Sequence, residues 1–247
     1  MQLQVNAVVF DWGNTLCLNP FYRTVSNNMD VFLKLLNDKN YPIDAEKLMD
    51  SWLSANNLKV THGTRFLQEE KFVRQALKNM GVKTPDIRKI MLEMIGIYRK
   101  SVENTIRNDA RNQEVKTVLE NLRSKGKKMA IFSNGREGNV RTWLEWAGIP
   151  EDYFVFILSS EEIDIEKPDL RVFGLIADRI GEPVDKCVYV GDDPINDIEP
   201  AVGYGMKTIL YALPWDVKGT SKHIDYDHPC SPDIRINSLS ELKDIII

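Results

Sequence analysis

Four places in this chain set chemically capable side chains beside or directly after apolar runs. Asp11 ends the run Val8-Val9-Phe10 and is followed by Gly13, Asn14 and Thr15. Ser133, Asn134 and Gly135 follow Met129-Ala130-Ile131-Phe132, Lys167 precedes Pro168, and "CVYVG" leads into Asp192, Asp193 and Asp197. Singly, each has a plain structural explanation. An aspartate after a strand caps a turn, and Ser133-Asn134 suits the start of a helix. Jointly they point to one site. Several carboxylates brought together repel one another, and their pKa values rise unless a cation neutralises them. Mg²⁺, held by one or two carboxylates with water and a substrate phosphate, meets that need. An aspartate so held can attack phosphorus and form an aspartyl-phosphate. On this reading Asp11 is the nucleophile, and Ser133 and Asn134 offer hydroxyl and N–H groups to the non-bridging oxygens. Lys167 offsets negative charge, and Mg²⁺ bridges Asp11, Asp192 and a phosphoryl oxygen.

The elements that must carry these residues follow from periodicity. Apolar residues 8–10 read as a buried strand. From Thr24 to Ser101 the apolar positions recur at helical spacing, as in Val31, Phe32, Leu35 and Leu36, then Leu48 and Trp52, then Phe72, Val73 and Leu77, then Ile90, Met94 and Ile97. Breaks at Asn40-Tyr41-Pro42, near His62-Gly63, at Gly81 and at Pro85 divide this stretch into three or four helices, a small bundle. Beyond Asn108 strands and helices alternate. Helices are expected at Glu114–Lys125, Val140–Trp146, Leu170–Ile180, Ile195–Val202 and Leu239–Ile246, and strands at 129–132, 154–158, 187–191, 207–211 and 234–236. Alternation implies an α/β fold, a Rossmann-like, mostly parallel sheet with helices on both faces. The expected division is a core of residues 1–16 and 107–247, with residues 17–106 inserted as a helical-bundle cap. In such sheets ligands bind beyond the carboxyl ends of the strands, where Asp11, Ser133 and Asp192 all fall. Residues 214–232 read as a long surface loop.

Composition bounds the partners. The 247 residues are 43% hydrophobic and 28% charged with a net charge of −4, so no general field favours nucleic acid. Lys125, Lys127 and Lys128 are expected to be a solvated helix end. Three widely spaced cysteines, Cys17, Cys187 and Cys230, match neither a disulfide framework nor a metal pair. The opening residues lack a basic region and a long apolar run, and no stretch approaches the ~20 apolar residues of a membrane span. A cytoplasmic protein acting on a small molecule is expected, with no nucleic-acid or membrane partner.

With these residues in order, the chain resembles the haloacid dehalogenase superfamily over most of its length. The strand with Asp11-Trp12-Gly13-Asn14-Thr15 is similar to the family's first motif, D-x-D-x-T, and Ser133 to its second. Lys167-Pro168 resembles the third, and Gly191-Asp192 through Asp197 the fourth. The insertion after the first strand resembles the family's first class of helical cap. The resemblance implies that Asp11 is nucleophile and metal ligand, that the backbone carbonyl of Gly13 and the Asp192 carboxylate complete the protein's share of a Mg²⁺ site, and that Thr15, Ser133, Asn134 and Lys167 bind phosphate. It leaves Asp193 and Asp197 in support, one pairing with Lys167 and the other orienting metal-bound water, with the two roles unranked.

Gly13 departs from the pattern. Phosphatases of the family carry a second aspartate there, which protonates the leaving oxygen and then activates water. Such general acid–base help is worth about 10²–10⁴-fold. Three readings follow. The first is a Mg²⁺-dependent phosphohydrolase of a small phosphorylated metabolite, with a leaving group that needs no acid or with a proton from the cap, where His62 is a candidate. The second is a 2-haloacid dehalogenase, since halide leaves without a proton and Ser133-Asn134-Gly135 fits such enzymes. The third is a weakly catalytic protein that binds a phosphorylated ligand or a partner. The acidic cluster favours the first, because it would repel a carboxylate substrate. Trp12, Phe21, Tyr22 and Trp52 are candidates to line a pocket or to fill the core.

Overall fold

The computed structural model describes residues 1–18, 20–56, 68–135, 137–213 and 229–247. His62 and most of the loop expected at 214–232 lie outside them, as do the side chains of Phe21 and Tyr22. The chain forms two compact units. One holds Met1–Leu18 and most of the chain beyond Asp109, and the other is Asn19–Asn108.

The first unit is built on six parallel strands, β1 (Ala7–Asp11), β2 (Lys128–Ser133), β3 (Phe156–Ser159), β4 (Cys187–Gly191), β5 (Lys207–Tyr211) and β6 (Ile234–Ile236). They lie in the order β3-β2-β1-β4-β5-β6. All five residues of β1 are buried, as expected of a central strand covered on both faces. Alternate residues serve opposite faces. Ala7 and Val9 join Ala130, Phe132 and Tyr189 against Val172, Phe173 and Ile176 of helix α9 (Leu170–Ile180). Val8, Phe10, Met129 and Ile131, also fully buried, point the other way. The helices α6 (Asn112–Ser124), α7 (Glu137–Ala147), α8 (Ser160–Ile163), α9 and α10 (Glu199–Tyr204) lie between the strands in chain order. Of these, α9 and α10 pack on the first face through Val172, Phe173, Ile176 and Ala201, and the right-handed rule for parallel crossovers calls for α6 and α7 on the second.

Two expected helices are different in detail. Residues 195–202 do not form one helix. They divide into a π-helical turn, Pro194–Ile198, and α10. The Ile198 N–H reaches back five residues to the Asp193 carbonyl, and Pro200 sits in the first turn of α10, where its missing N–H has no partner to lose. The closing stretch is a 3₁₀ turn, Leu239–Glu241, set by a Ser238/Glu241 capping box, and a short helix, Leu242–Ile245. The three lysines lie at the surface as expected, Lys125 exposed and Lys127 and Lys128 half-buried, and each also reaches a backbone carbonyl. Lys125 Nζ donates to the Lys243 and Ile246 carbonyls, Lys127 Nζ to that of Val5, and Lys128 Nζ to that of Ile180. Lys125 and Lys127 thus reach carbonyls near the two chain termini, and Lys128 reaches the last carbonyl of α9.

The second unit is helical throughout its described residues, with α1 (Pro20–Asn27), α2 (Met29–Asp38), α3 (Ala45–Asn56), α4 (Gln68–Asn79) and α5 (Thr84–Arg107). Its own core includes Phe32, Leu36, Leu48, Trp52, Leu77, Ile90 and Met94. Trp52 is 1% exposed, so it is a packing residue. Pro85 starts α5 instead of breaking a helix, because in the first turn its missing N–H has no partner to lose.

Candidate active site

The adjoining strand β2 carries Phe132 beside Asp11, so Ser133 stands one residue further along. On the other side β4 ends at Gly191, beyond the pairing of Phe10 with Val190. The order of strands therefore brings the ends of β2, β1 and β4 side by side. The chain leaves β1 through a tight turn in which the Trp12 carbonyl accepts from the Leu16 and Cys17 N–H groups, at 3.1 and 3.0 Å. Asn14 there adopts a left-handed φ of 61°, a conformation that asparagine tolerates better than most residues. Thr15 Oγ1 sits 3.4 Å from Asp11 Oδ2, and Arg111 Nη2 donates to the Thr15 carbonyl at 3.0 Å.

Lys167 reaches this point from the loop before α9. Its Nζ lies 2.6 Å from Asp11 Oδ1 and 2.6 Å from Asp197 Oδ1, and it donates to the Tyr189 hydroxyl at 3.0 Å. The Asn134 side chain fixes the loop itself. Its Nδ2 donates to the Lys167 carbonyl and its Oδ1 accepts from the Lys167 N–H, both at 2.9 Å. This bracket between two strand-end loops is a positioning task that the sequence did not signal.

Of the two roles left unranked in the sequence, the pairing with Lys167 falls to Asp197. The second Asp197 oxygen accepts from the Asp193 N–H at 3.1 Å. Asp193 caps the π-helical turn, accepting from the Ile195 and Asn196 N–H groups at 3.0 and 3.1 Å. The wide π turn lays Asp197 directly over the backbone of Gly191. A Cβ on Gly191 would stand 2.5 Å from Asp197 Cγ and 2.6 Å from its Cβ, so only glycine fits. π turns recur at functional sites.

Asp192 completes the group. One oxygen from each of Asp11, Asp192 and Asp197 lies within 4.8 Å of the others, and all three residues are buried. Asp192 Oδ2 is buried with no hydrogen-bond partner among the described residues. Burial, with the charges of Asp11 and Asp197, pushes the Asp192 carboxyl well above the usual range. Burial also pushes Asp197 up to about 7, against the opposing pull of Lys167. Burial alone would lower Lys167, but Asp11 and Asp197 outweigh it and hold its ammonium well above the ordinary lysine value. Three carboxylates thus face one ammonium, an imbalance of the kind that a divalent cation removes.

Gly13, two residues beyond Asp11, has no positive φ, and a Cβ built on it meets nothing within 4 Å among the described residues. Trp12 is 2% exposed, with its ring 6.3 Å from that of Trp143 on α7.

A family model of haloacid dehalogenase-like hydrolases matches residues 5–205. The chain belongs to the haloacid dehalogenase-like hydrolase family. It is 34% identical over 134 residues to a glyceraldehyde 3-phosphate phosphatase of Methanocaldococcus jannaschii, covering 53% of this chain and 54% of that protein. It is 30% identical over 129 residues to a phosphoserine phosphatase of Thermus thermophilus, covering 52% and 48%. The chain thus spans about half the length of these curated relatives. The solved structure of the HAD-hydrolase YfnB of Bacillus subtilis bound to magnesium has a TM-score of 0.69 over 98% of both chains, at 18% identity, a likeness of fold. This haloacid dehalogenase-like hydrolase therefore has the Rossmann-like sheet of its family. No helix among its described residues is long and apolar enough to cross a membrane.

Proposed function

We propose that this hydrolase is a Mg²⁺-dependent phosphatase of a small phosphorylated metabolite, acting through an aspartyl-phosphate on Asp11. The observation that carries the reading is the buried carboxylate group with one ammonium and an unpartnered Asp192 oxygen. An all-oxygen, buried, anionic donor set suits a hard divalent cation. Asp11 and Asp192, with the Gly13 backbone carbonyl, would hold Mg²⁺. When bound, it supplies charge neutralisation among the carboxylates and on a phosphoryl oxygen.

The chain's own residues do the rest. Asp11 Oδ1 is held by Lys167, which leaves Oδ2, with only the long Thr15 contact among the described residues, to attack phosphorus. The P–O bond to the leaving group breaks with its electron pair, and water then cleaves the acyl phosphate to return the Asp11 carboxylate and phosphate. Ser133 and the Asn134 backbone bind the non-bridging oxygens, Thr15 steadies the nucleophile, and the Lys167 charge balances the phosphoryl group. Gly13 supplies no proton. The preferred substrate therefore has a leaving oxygen that departs unprotonated, as an acyl or aryl phosphate does. The phosphatase names of two relatives support a small phosphorylated substrate. The α1–α5 unit is the cap that selects the substrate. Cys17, Cys187 and Cys230 form no disulfide among the described residues, which suits a reducing, cytoplasmic setting.

The test is phosphate release from acetyl phosphate and p-nitrophenyl phosphate with and without Mg²⁺, and chloride release from 2-chloropropionate. Metal-dependent phosphate release that Asp11→Asn abolishes is the expected result. Metal-independent chloride release would overturn it in favour of a dehalogenase. No turnover of either, with thermal stabilisation by phosphate, would establish a binding protein instead.

A further inference from the structure

An ammonium has three N–H donors, and Lys167 has three acceptors. Two are the carboxylates of Asp11 and Asp197, each at 2.6 Å, and the third is the neutral Tyr189 hydroxyl at 3.0 Å. Tyr189 lies on β4, three residues before Asp192, and is fully buried. Its ring packs edge-on against Phe173, with centroids 5.2 Å apart. The Lys167 ammonium also lies 5.5 Å from the Tyr189 ring centroid and 5.7 Å from that of Phe132. For packing alone phenylalanine would serve as well at 189. The hydroxyl is what reaches the lysine.

We propose that Tyr189 is a positioning residue, whose hydroxyl takes the third N–H of Lys167 and fixes the ammonium between Asp11 and Asp197. The proposal rests on the phosphatase reading above. A lysine stem has four rotatable bonds, and two carboxylate contacts leave its head free to pivot about the line between them. A third contact from a rigid phenol removes that freedom, and displacement of a charged group by a fraction of an ångström is costly in phosphoryl transfer. The arrangement also leaves no N–H spare. Lys167 therefore acts on the phosphoryl group through its charge and through the orientation it imposes on Asp11 Oδ1.

Tyr189→Phe removes one oxygen and keeps the ring against Phe173. With acetyl phosphate and Mg²⁺, kcat is expected to fall about tenfold with KM changed less than about twofold, the size of a lost hydrogen bond to a charged group. A thermal cycle without Mg²⁺ reads the contact independently of turnover. Tyr189→Phe should lower Tm by about 3 °C beside Lys167 and by under about 1 °C beside Lys167→Met. Equal shifts in the two backgrounds would overturn the contact. An unchanged kcat, or a rise in KM alone, would overturn the positioning role. If the unaltered protein releases no phosphate, the phosphatase reading fails, and the thermal cycle still decides whether Tyr189 holds Lys167.

Discussion

Replacing Gly13 with aspartate tests the central claim about the leaving group. The position accepts a side chain. Its φ is not left-handed, and an added Cβ has no neighbour within 4 Å among the described residues. The new carboxyl would stand two residues from Asp11, close to a group that already holds three carboxylates. Repulsion between two charges about 4 Å apart is about 4 kcal/mol at an effective dielectric of about 20, and it raises the pKa of the newcomer. For a general acid that direction helps, since the acid must carry a proton at neutral pH. Protonation of an alkoxide leaving group is worth about 10²–10⁴-fold, or about 3–5 kcal/mol of barrier. Activity of Gly13→Asp on an alkyl phosphate such as glycerol phosphate should therefore rise by about 10²-fold or more. Acetyl phosphate, whose carboxylate leaves without a proton, should change by less than about threefold. The assay is kcat/KM for both substrates at saturating Mg²⁺. A fall on both would show that the turn cannot admit the carboxylate. A rise of equal size on both would refute the assignment of Gly13 as a missing acid.

Other perturbations probe the same site from different sides. Asp11→Asn should abolish Mg²⁺-dependent phosphate release while circular dichroism remains that of the folded protein; residual turnover above about 1% would remove Asp11 as nucleophile. Gly191→Ala forces a methyl against Asp197 Cβ and Cγ, at 2.6 and 2.5 Å, and should cost about 1–3 kcal/mol, read as a Tm lower by several degrees. A Tm within about 1 °C of the unaltered protein would show that Asp197 moves aside freely. The Asp197 carboxyl, pushed up to about 7 first by burial, binds its proton more tightly folded than unfolded. Its contribution to metal-free stability is thus full below about pH 4 and lost as pH rises through about 7. With chelator present, Tm should be lower at about pH 8 than at about pH 6, and Mg²⁺ should raise it more at the higher pH. Equal gains at both would count against a cation among these carboxylates.

Much of this was legible in the sequence because it depends on local pattern. Short apolar runs ending in polar groups marked the strands, and helical spacing marked the inserted unit. The doubly wound rule then put Asp11, Ser133 and Asp192 at one end of the sheet. What escaped notice depends on tertiary distance. Asn134 read as the start of a helix or, with Ser133, as a phosphate-binding residue, because nothing in Ser133-Asn134-Gly135 tells of a loop 33 residues on whose backbone it brackets. Tyr189 read as an ordinary strand residue, since aromatic residues are common in buried strands. Asp193 and Asp197 were indistinguishable until the turn between them was known to be π-helical, with an extra residue per turn. The carbonyl partners of Lys125, Lys127 and Lys128 were not visible either, because a sequence does not show which carbonyls lie within reach of a long side chain.

The balance of charge argues that this group exists for chemistry. A buried ion pair is weak evidence of stability, since desolvation consumes most of its attraction, and apolar residues of similar size often do as well. One ammonium needs one carboxylate to be neutral, and Lys167 has two within 2.6 Å. Asp192 adds a third carboxylate, with an oxygen that has no partner among the described residues. Each addition makes the metal-free protein less stable and the site more receptive to positive charge. The sheet spends further constraint on the arrangement, with a glycine at 191 so that Asp197 can lie close and a phenol at 189 to hold the lysine. Gly13, two residues beyond Asp11, lacks a side chain that could supply a proton. On the proposed reading the group receives a phosphoryl group while Gly13 offers no proton to what leaves, which is why substrates should be sought first among phosphates with stable leaving anions.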